Sequence, residues 1–169
     1  MITNYSNPDQ IIGRCNKALR MTAVRWMTVG IPAPQGSKRH VGRGIMIEQS
    51  ASLPAWRNQL IYDIKKAANG YKFDGGINVT LDFRFPRLKS HYRTGKYSHI
   101  LRDDAPLYKI TKPDIDKIIR AVMDSMTLSG VIKDDANCYL IMSRKMYCNA
   151  DEQPGVFGII ADTQKCDNI

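Results

Sequence analysis

At 169 residues the chain is long enough for one domain with a real core and too short for two comfortable ones. An apolar fraction of 43% is ordinary for a globular protein, but a formal charge of +9 is not, and it suits an anionic polymer as partner. No apolar run approaches the roughly 18 residues that cross a bilayer, and the start lacks the hydrophobic segment of a signal peptide; no membrane partner and a cytoplasmic location are expected. Four cysteines (Cys15, Cys138, Cys148, Cys166) lie far apart with no C-x-x-C, which reads as reduced thiols. His40, His91 and His99 show no ligand spacing, which argues against zinc.

Residues 1–23 are polar and weakly patterned around Pro8, and are read as an extension ahead of a domain spanning 24–162. Ala23 to Ile31 alternates as a strand and runs into a basic, turn-forming loop, Pro32-Ala33-Pro34-Gln35-Gly36-Ser37-Lys38-Arg39-His40. A second short strand around Ile45 to Glu48 is predicted to close a hairpin with it. Gly36, Gly42 and Gly44 permit close backbone approach to a phosphate, and Lys38, Arg39 and Arg43 supply charge; an ordinary solvated hairpin tip has the same composition. Leu53 to Asn69 has helical spacing, with Pro54 in the first turn, a stripe of Trp56, Leu60, Ile64 and Ala67 or Ala68, and Asn69-Gly70 as the stop. Ile77 to Phe85 alternates cleanly, so Ile77, Val79, Leu81, Phe83 and Phe85 share one face of a strand that Pro86 ends.

Arg87 to Arg102 carries Arg87, Lys89, Arg93, Lys96 and Arg102 against no acid, with Tyr92, Tyr97, His91 and His99 interleaved. Basic residues among aromatics suit a nucleic-acid backbone and exposed bases. A flexible solvated loop is the competing interpretation.

Lys112 to Asp135, KPDIDKIIRAVMDSMTLSGVIKDD, gathers five of the chain's sixteen acids on one short helix and the loop after it. Asp114 is placed to cap the helix through the backbone N–H of Asp116 or Lys117. Ile115, Ile118, Ile119, Val122 and Met126 form an apolar stripe, and Asp116, Arg120 and Asp124 form a charged line at i, i+4 and i+8. Gly130 ends the helix region. Acids at a helix start can simply complement the dipole. Clustered carboxylates repel, however, unless a cation sits between them, and hard oxygen ligands suit Mg²⁺ or Mn²⁺.

The run K-P-D-I-D-K-I-I-R-A-V-M-D-S-M-x-x-S-G-V-I-K-D-D resembles the signature of RusA-type Holliday-junction resolvases, metal-dependent endonucleases encoded by many phages and prophages. The resemblance implies that Asp114, Asp116 and Asp135 are metal-binding carboxylates and that Arg120 is the essential basic residue. Asp124, Asp134 and Lys117 are second-tier candidates. Two departures are visible, because the family usually has Lys at Arg120 and Asn at Lys117; Arg keeps the positive charge but is a poor proton donor. The P-x-P-Q-G-S-K-R run also resembles the N-terminal hairpin of phage RusA-like proteins, which favours a DNA contact there.

Asn137 to Tyr147 reads as a long strand whose early apolarity suggests a central place in the sheet. Asp151 to Gly155 reads as a turn, Val156 to Ala161 as the last strand, and 163–169 as a polar tail. The order β-β-α-β-α-β-β implies a single α+β domain, a mixed sheet with two helices packed on it. The resemblance further implies paired phosphodiester hydrolysis in four-way DNA junctions. A junction has two-fold symmetry, so two active sites and a homodimer are expected from geometry and from the resemblance. Two other classes compete: a non-catalytic branched or duplex DNA-binding protein, which leaves the carboxylates unexplained, and a metal-dependent nuclease acting on flaps or forks.

Overall fold

The structure, a computed structural model, describes residues 22–36, 38–40, 46–48, 52–149 and 151–162. The expected N-terminal extension, but for residues 22 and 23, and the polar tail lie outside the described residues, as do Cys15 and Cys166. Four strands form one mixed sheet: β1 (Ala23–Val29), β4 (Ile77–Phe85), β5 (Cys138–Tyr147) and β6 (Gly155–Asp162) in the order β1-β6-β4-β5. β6 is antiparallel to both its neighbours, whereas β4 and β5 are parallel. Two helices, α1 (Leu53–Ala68) and α2 (Ile115–Ser129), pack against each other and the sheet. This is the expected α+β domain. No helix among the described residues is long and apolar enough to cross a membrane.

The alternation read in β4 is realised residue by residue: Ile77, Val79, Leu81, Phe83 and Phe85 are buried, and the residues between them are half-buried. Each such side chain contributes about 1.5–3 kcal/mol of apolar transfer. The α1 stripe is Leu53, Trp56, Leu60, Ile64 and Ala68, and the helix stops at Asn69 in the left-handed region. α2 buries Ile118, Ala121, Val122, Met123 and Met126, and stops at Gly130 with φ 71°, where a side chain would be strained. Ile115, expected in that stripe, is exposed because it opens the helix before the helix reaches the core.

Two expectations are corrected. The strand Met46–Glu48 (β3) pairs with Lys38–His40 (β2) in a separate two-stranded sheet, and the partner of β1 is β6. A hairpin needs only a short loop between its strands, and the basic loop supplies its own first strand. Second, β5 is an edge strand, not a central one. Its apolar run Tyr139-Leu140-Ile141-Met142 is 57, 47, 39 and 56% exposed, so burial among the described residues does not explain it.

The parallel β4–β5 pair dictates where the site lies. Parallel neighbours need a crossover, here residues 86–137, which leave the end of β4 at Phe85 and return through α2 to start β5 at Cys138. α2 therefore begins at the C-terminal ends of β4 and β5 and finishes at their N-terminal ends. The segment 107–109 lies antiparallel along β5, with Lys109 N–H on the Lys145 carbonyl (3.1 Å) and Tyr147 N–H on the Leu107 carbonyl (3.0 Å).

Candidate active site

Asp114 occupies the N-cap position of α2 with extended backbone, yet its side chain makes no capping hydrogen bond. One carboxylate oxygen instead meets Lys117 Nζ at 3.1 Å, and both side chains are about half exposed (50 and 46%). The expected cap is thus replaced by an i,i+3 ion pair, which leaves carboxylate lone pairs facing solvent. Asp116, two residues on, is exposed and makes no ion pair or side-chain hydrogen bond among the described residues. Arg120 is exposed one turn along, and no Asp116–Arg120 pair forms. Asp124 sits near Arg57 instead, at 3.9 Å.

The turn that presents Asp114 is held from below. Lys145 on β5 donates from Nζ to the carbonyls of Thr111 (2.9 Å) and Pro113, and Lys109 Nζ donates to Thr111 Oγ1 at 2.8 Å. The Lys112–Pro113 peptide is cis. Burial lowers the Lys145 pKa, Lys109 lowers it further, and Asp114 acts the other way. Sequence patterning places Lys145 on a strand face and gives it no role; its partners are carbonyls more than thirty residues away in the chain, which no local spacing reveals.

Asp134 and Asp135 lie elsewhere. Asp134 accepts the Ala136 N–H at 2.8 Å and so caps the turn Asp135–Asn137, which feeds directly into Cys138. That bond holds the Asp134 carboxyl below its usual range, and the charge of Lys133 acts the same way. Asp135 therefore stands at the Cys138 end of β5, while Asp114 stands at the Lys145 end. Seven residues of strand separate the two ends, about 23 Å at 3.3 Å per residue. No three His, Cys, Asp or Glu side chains among the described residues are grouped as a metal would need. The donor chemistry suits a hard divalent cation, but of the three expected ligands Asp114 and Asp116 are near neighbours at the start of α2 and Asp135 is at the other end of β5.

Beside Asp114 opens a cleft of about 650 Å³. One wall is the 31–34 segment, tied to α2 by the Gln35 N–H on the Lys117 carbonyl (3.0 Å) and to α1 by Arg57 on Gln35 Oε1 (3.3 Å). The other wall is Phe85, Pro86 and Leu88. Lys109, Lys112 and Lys117 edge it, and Lys109 Nζ sits 5.3 Å from the Phe85 ring centre.

The cations expected to meet DNA divide into four groups. Arg43 and the side chains of Lys38 and Arg39 lie outside the described residues. Arg87 has a structural role: its guanidinium donates to the Cys148 carbonyl (2.7 Å) and the Pro106 carbonyl (2.9 Å) and lies over the Tyr147 ring. The loop from 87 to 102 is folded rather than loose, with Arg93 N–H on the Ile100 carbonyl and Arg102 N–H on the His91 carbonyl. The acids missing from it come just after it: Arg93 pairs with Asp103 (3.0 Å) and Arg102 with Asp104 (2.9 Å). Lys89 and Lys96 remain exposed, Lys96 over the Tyr97 ring.

A search of curated proteins finds no match to the chain. Residues 30–157, about three quarters of it, match the family model of endodeoxyribonuclease RusA, and the matched span takes in β2 to β5, both helices and every acid described above. The chain thus belongs to the RusA family of metal-dependent endodeoxyribonucleases, enzymes that resolve Holliday junctions in DNA.

Proposed function

We propose that the chain cuts four-way junctions by paired nicks as a homodimer, in which each metal site uses Asp114 and Asp116 of one protomer and Asp135 of the partner subunit. The carrying observation is the separation of these acids to opposite ends of β5. Two ligands of one Mg²⁺ stand within about 4 Å of each other, so a single chain cannot close the set without wholesale rearrangement. The apolar edge of β5 over Tyr139–Met142, which has no strand partner among the described residues, supports the same reading, since an exposed edge of this kind is a template for pairing with another chain. Antiparallel pairing of two β5 edges, centred on Tyr139–Met142, would set Ala136 opposite the partner subunit's Lys145. That is the lysine that holds the turn before Asp114.

When bound, Mg²⁺ (or Mn²⁺) supplies a water made nucleophilic near neutral pH and neutralises charge on the scissile phosphate. Arg120, with no carboxylate partner among the described residues, is assigned to the phosphate, for which its planar guanidinium is a geometric match. Lys117 holds Asp114 in place and keeps positive charge beside it. Asp124 and Asp134 are assigned supporting roles, the first steadied by Arg57 and the second by the turn it caps. The test is cleavage of a synthetic four-way junction beside duplex, fork and flap controls, with and without Mg²⁺. Paired, metal-dependent nicks confined to the junction are expected; equal cutting of forks or flaps would overturn the junction assignment for this chain.

A further inference from the structure

We infer that the cleft beside Asp114 is a slot for one unpaired nucleotide, extruded from the junction next to the bond to be cut. The inference rests on the assignment of the Asp114 end as the cutting site, and it adds a specificity element to it. At about 650 Å³ the cleft falls in the roughly 300–1,000 Å³ range of small-ligand sites, too small for a duplex and ample for a base with its sugar. Two of its apolar lining residues are buried, Ala33 at 2% and Phe85 at 3% exposure. Two more, Ile31 (60%) and Leu88 (53%), come from separate segments and are open to solvent. Extruded bases are gripped between apolar or aromatic side chains in this way.

Charge selects the occupant. An apolar slot alone would accept a peptide side chain or a lipid tail equally well. Here Lys109, Lys112 and Lys117 stand around it against Asp114, and a nucleotide is the ligand that carries a flat apolar face and an anionic phosphate on one unit. Lys109 is steered to the wall by the Phe85 and Tyr147 rings, at 5.3 and 5.5 Å, rather than left to wander in solvent. The slot is also rigid on both sides, because Gln35 fastens one wall to both helices and the other wall continues directly from β4. Unstacking a base costs a few kcal/mol, least where pairing is already interrupted, as at a branch point. A slot of this kind would therefore help distinguish a junction from a continuous duplex.

The experiment walks 2-aminopurine, whose fluorescence rises on unstacking, through the strands of a four-way junction bound by the wild-type chain in EDTA, where no cutting occurs. One position flanking the cut should brighten several-fold. Leu88→Asp and Ile31→Asp, both at exposed positions, should abolish that brightening and weaken nucleotide preference at the cut while junction affinity is kept. No bright position, or equal brightening in both variants, overturns the slot. Loss of junction affinity together with circular dichroism unlike the wild type disqualifies a variant, and Leu88→Ala, which only lowers one wall, then carries the comparison with a partial loss expected. Asp114→Asn keeps the two readings apart. Bright 2-aminopurine with undiminished cutting by that variant removes Asp114 from the cutting site and leaves a nucleotide slot, whereas a dead variant with flat fluorescence removes the slot alone.

Discussion

Mixing two inactive variants provides a direct test of a metal site shared between protomers. Asp114→Asn and Asp135→Asn each remove one carboxylate from every site of their own homodimer. Loss of a metal's charge stabilisation is worth several kcal/mol, so each variant alone should fall on the order of 10³-fold in rate. In a heterodimer of the two, the shared arrangement concentrates both lesions in one site and leaves the other with all three acids. Random assortment makes about half the dimers mixed, each with one intact site, so the mixture should recover roughly a quarter of the wild-type sites. Its product should be a singly nicked junction, since one site cannot make the second cut. The structural basis is the distance of about 23 Å along β5 between the Lys145 and Cys138 ends, beside which Asp114 and Asp135 respectively stand. Asp114→Asn mixed with Asp116→Asn is the control: both lie at the start of α2, both sites of the heterodimer are then damaged, and activity should stay at background. Co-expression under two tags ensures that mixed dimers form. Background activity from the tagged Asp114→Asn/Asp135→Asn heterodimer would refute the shared site and return all three acids to one chain.

Other expectations follow from individual side chains. Arg120→Lys should remain active and Arg120→Ala should lose on the order of 100-fold in single-turnover cleavage if the guanidinium stabilises the phosphate; a fully active Ala variant would remove Arg120 from the site. Replacing Arg93 and Lys96 with Ala should flatten the log–log salt dependence of junction binding by about 0.9 for each phosphate no longer neutralised, and an unchanged slope would mean that Arg93 serves only its pair with Asp103. Gly158→Ala should destabilise the fold by about 1–3 kcal/mol in urea melts, because its Cβ would overlap the buried Trp26 ring across the β1–β6 pair. Asp82 is 15% exposed; burial pushes its pKa up, and bonds from Arg144 (2.7 Å) and Arg84 (2.8 Å) more than reverse this, holding it below 3.8. A carboxyl depressed in the fold contributes stability that is present above its unfolded pKa and lost as pH falls through the folded one. Thermal melts across the acid range should therefore show wild type losing stability below the ordinary aspartate value of 3.8, with Asp82→Asn less stable at neutral pH and flatter in acid.

Local periodicity carried most of the fold. β4 and the two helices follow patterns of two and of 3.6 residues, which depend on which side of an element faces the core and on nothing more distant. The partner of β1 was not legible because pairing is a long-range choice: β1 lies against β6, more than a hundred residues on. The acids assigned to the site were legible as residue types in a dense motif, but their separation was not, since it follows from α2 running the length of the sheet between parallel strands. Lys109 and Lys145 gave no sequence signal, and of the cleft walls only Pro32–Pro34 did, as the start of the P-x-P-Q-G-S-K-R run. They are assembled from segments around 31, 86, 110 and 145 that only the fold brings together.

The edge position of β5 is informative in its own right. Four consecutive apolar residues in a strand normally mean burial on both faces, and that rule set Tyr139–Met142 at the centre of the sheet. In the single chain the same four side chains stand in solvent at an edge. An edge left this way invites aggregation, and chains that remain monomeric blunt it with charge, proline or a covering loop. Here the segment 107–109 covers only the 145–147 end, and the run itself carries no charge and no proline. The rule and the structure agree if the burial is supplied by a second copy. Placing Lys at Ile141 should then act on assembly before it acts on chemistry. Ile141→Lys is expected to sediment as a monomer, to keep its circular dichroism, and to lose cleavage despite having every acid intact. A dimeric, active Ile141→Lys would show that the apolar edge has no part in pairing the subunits.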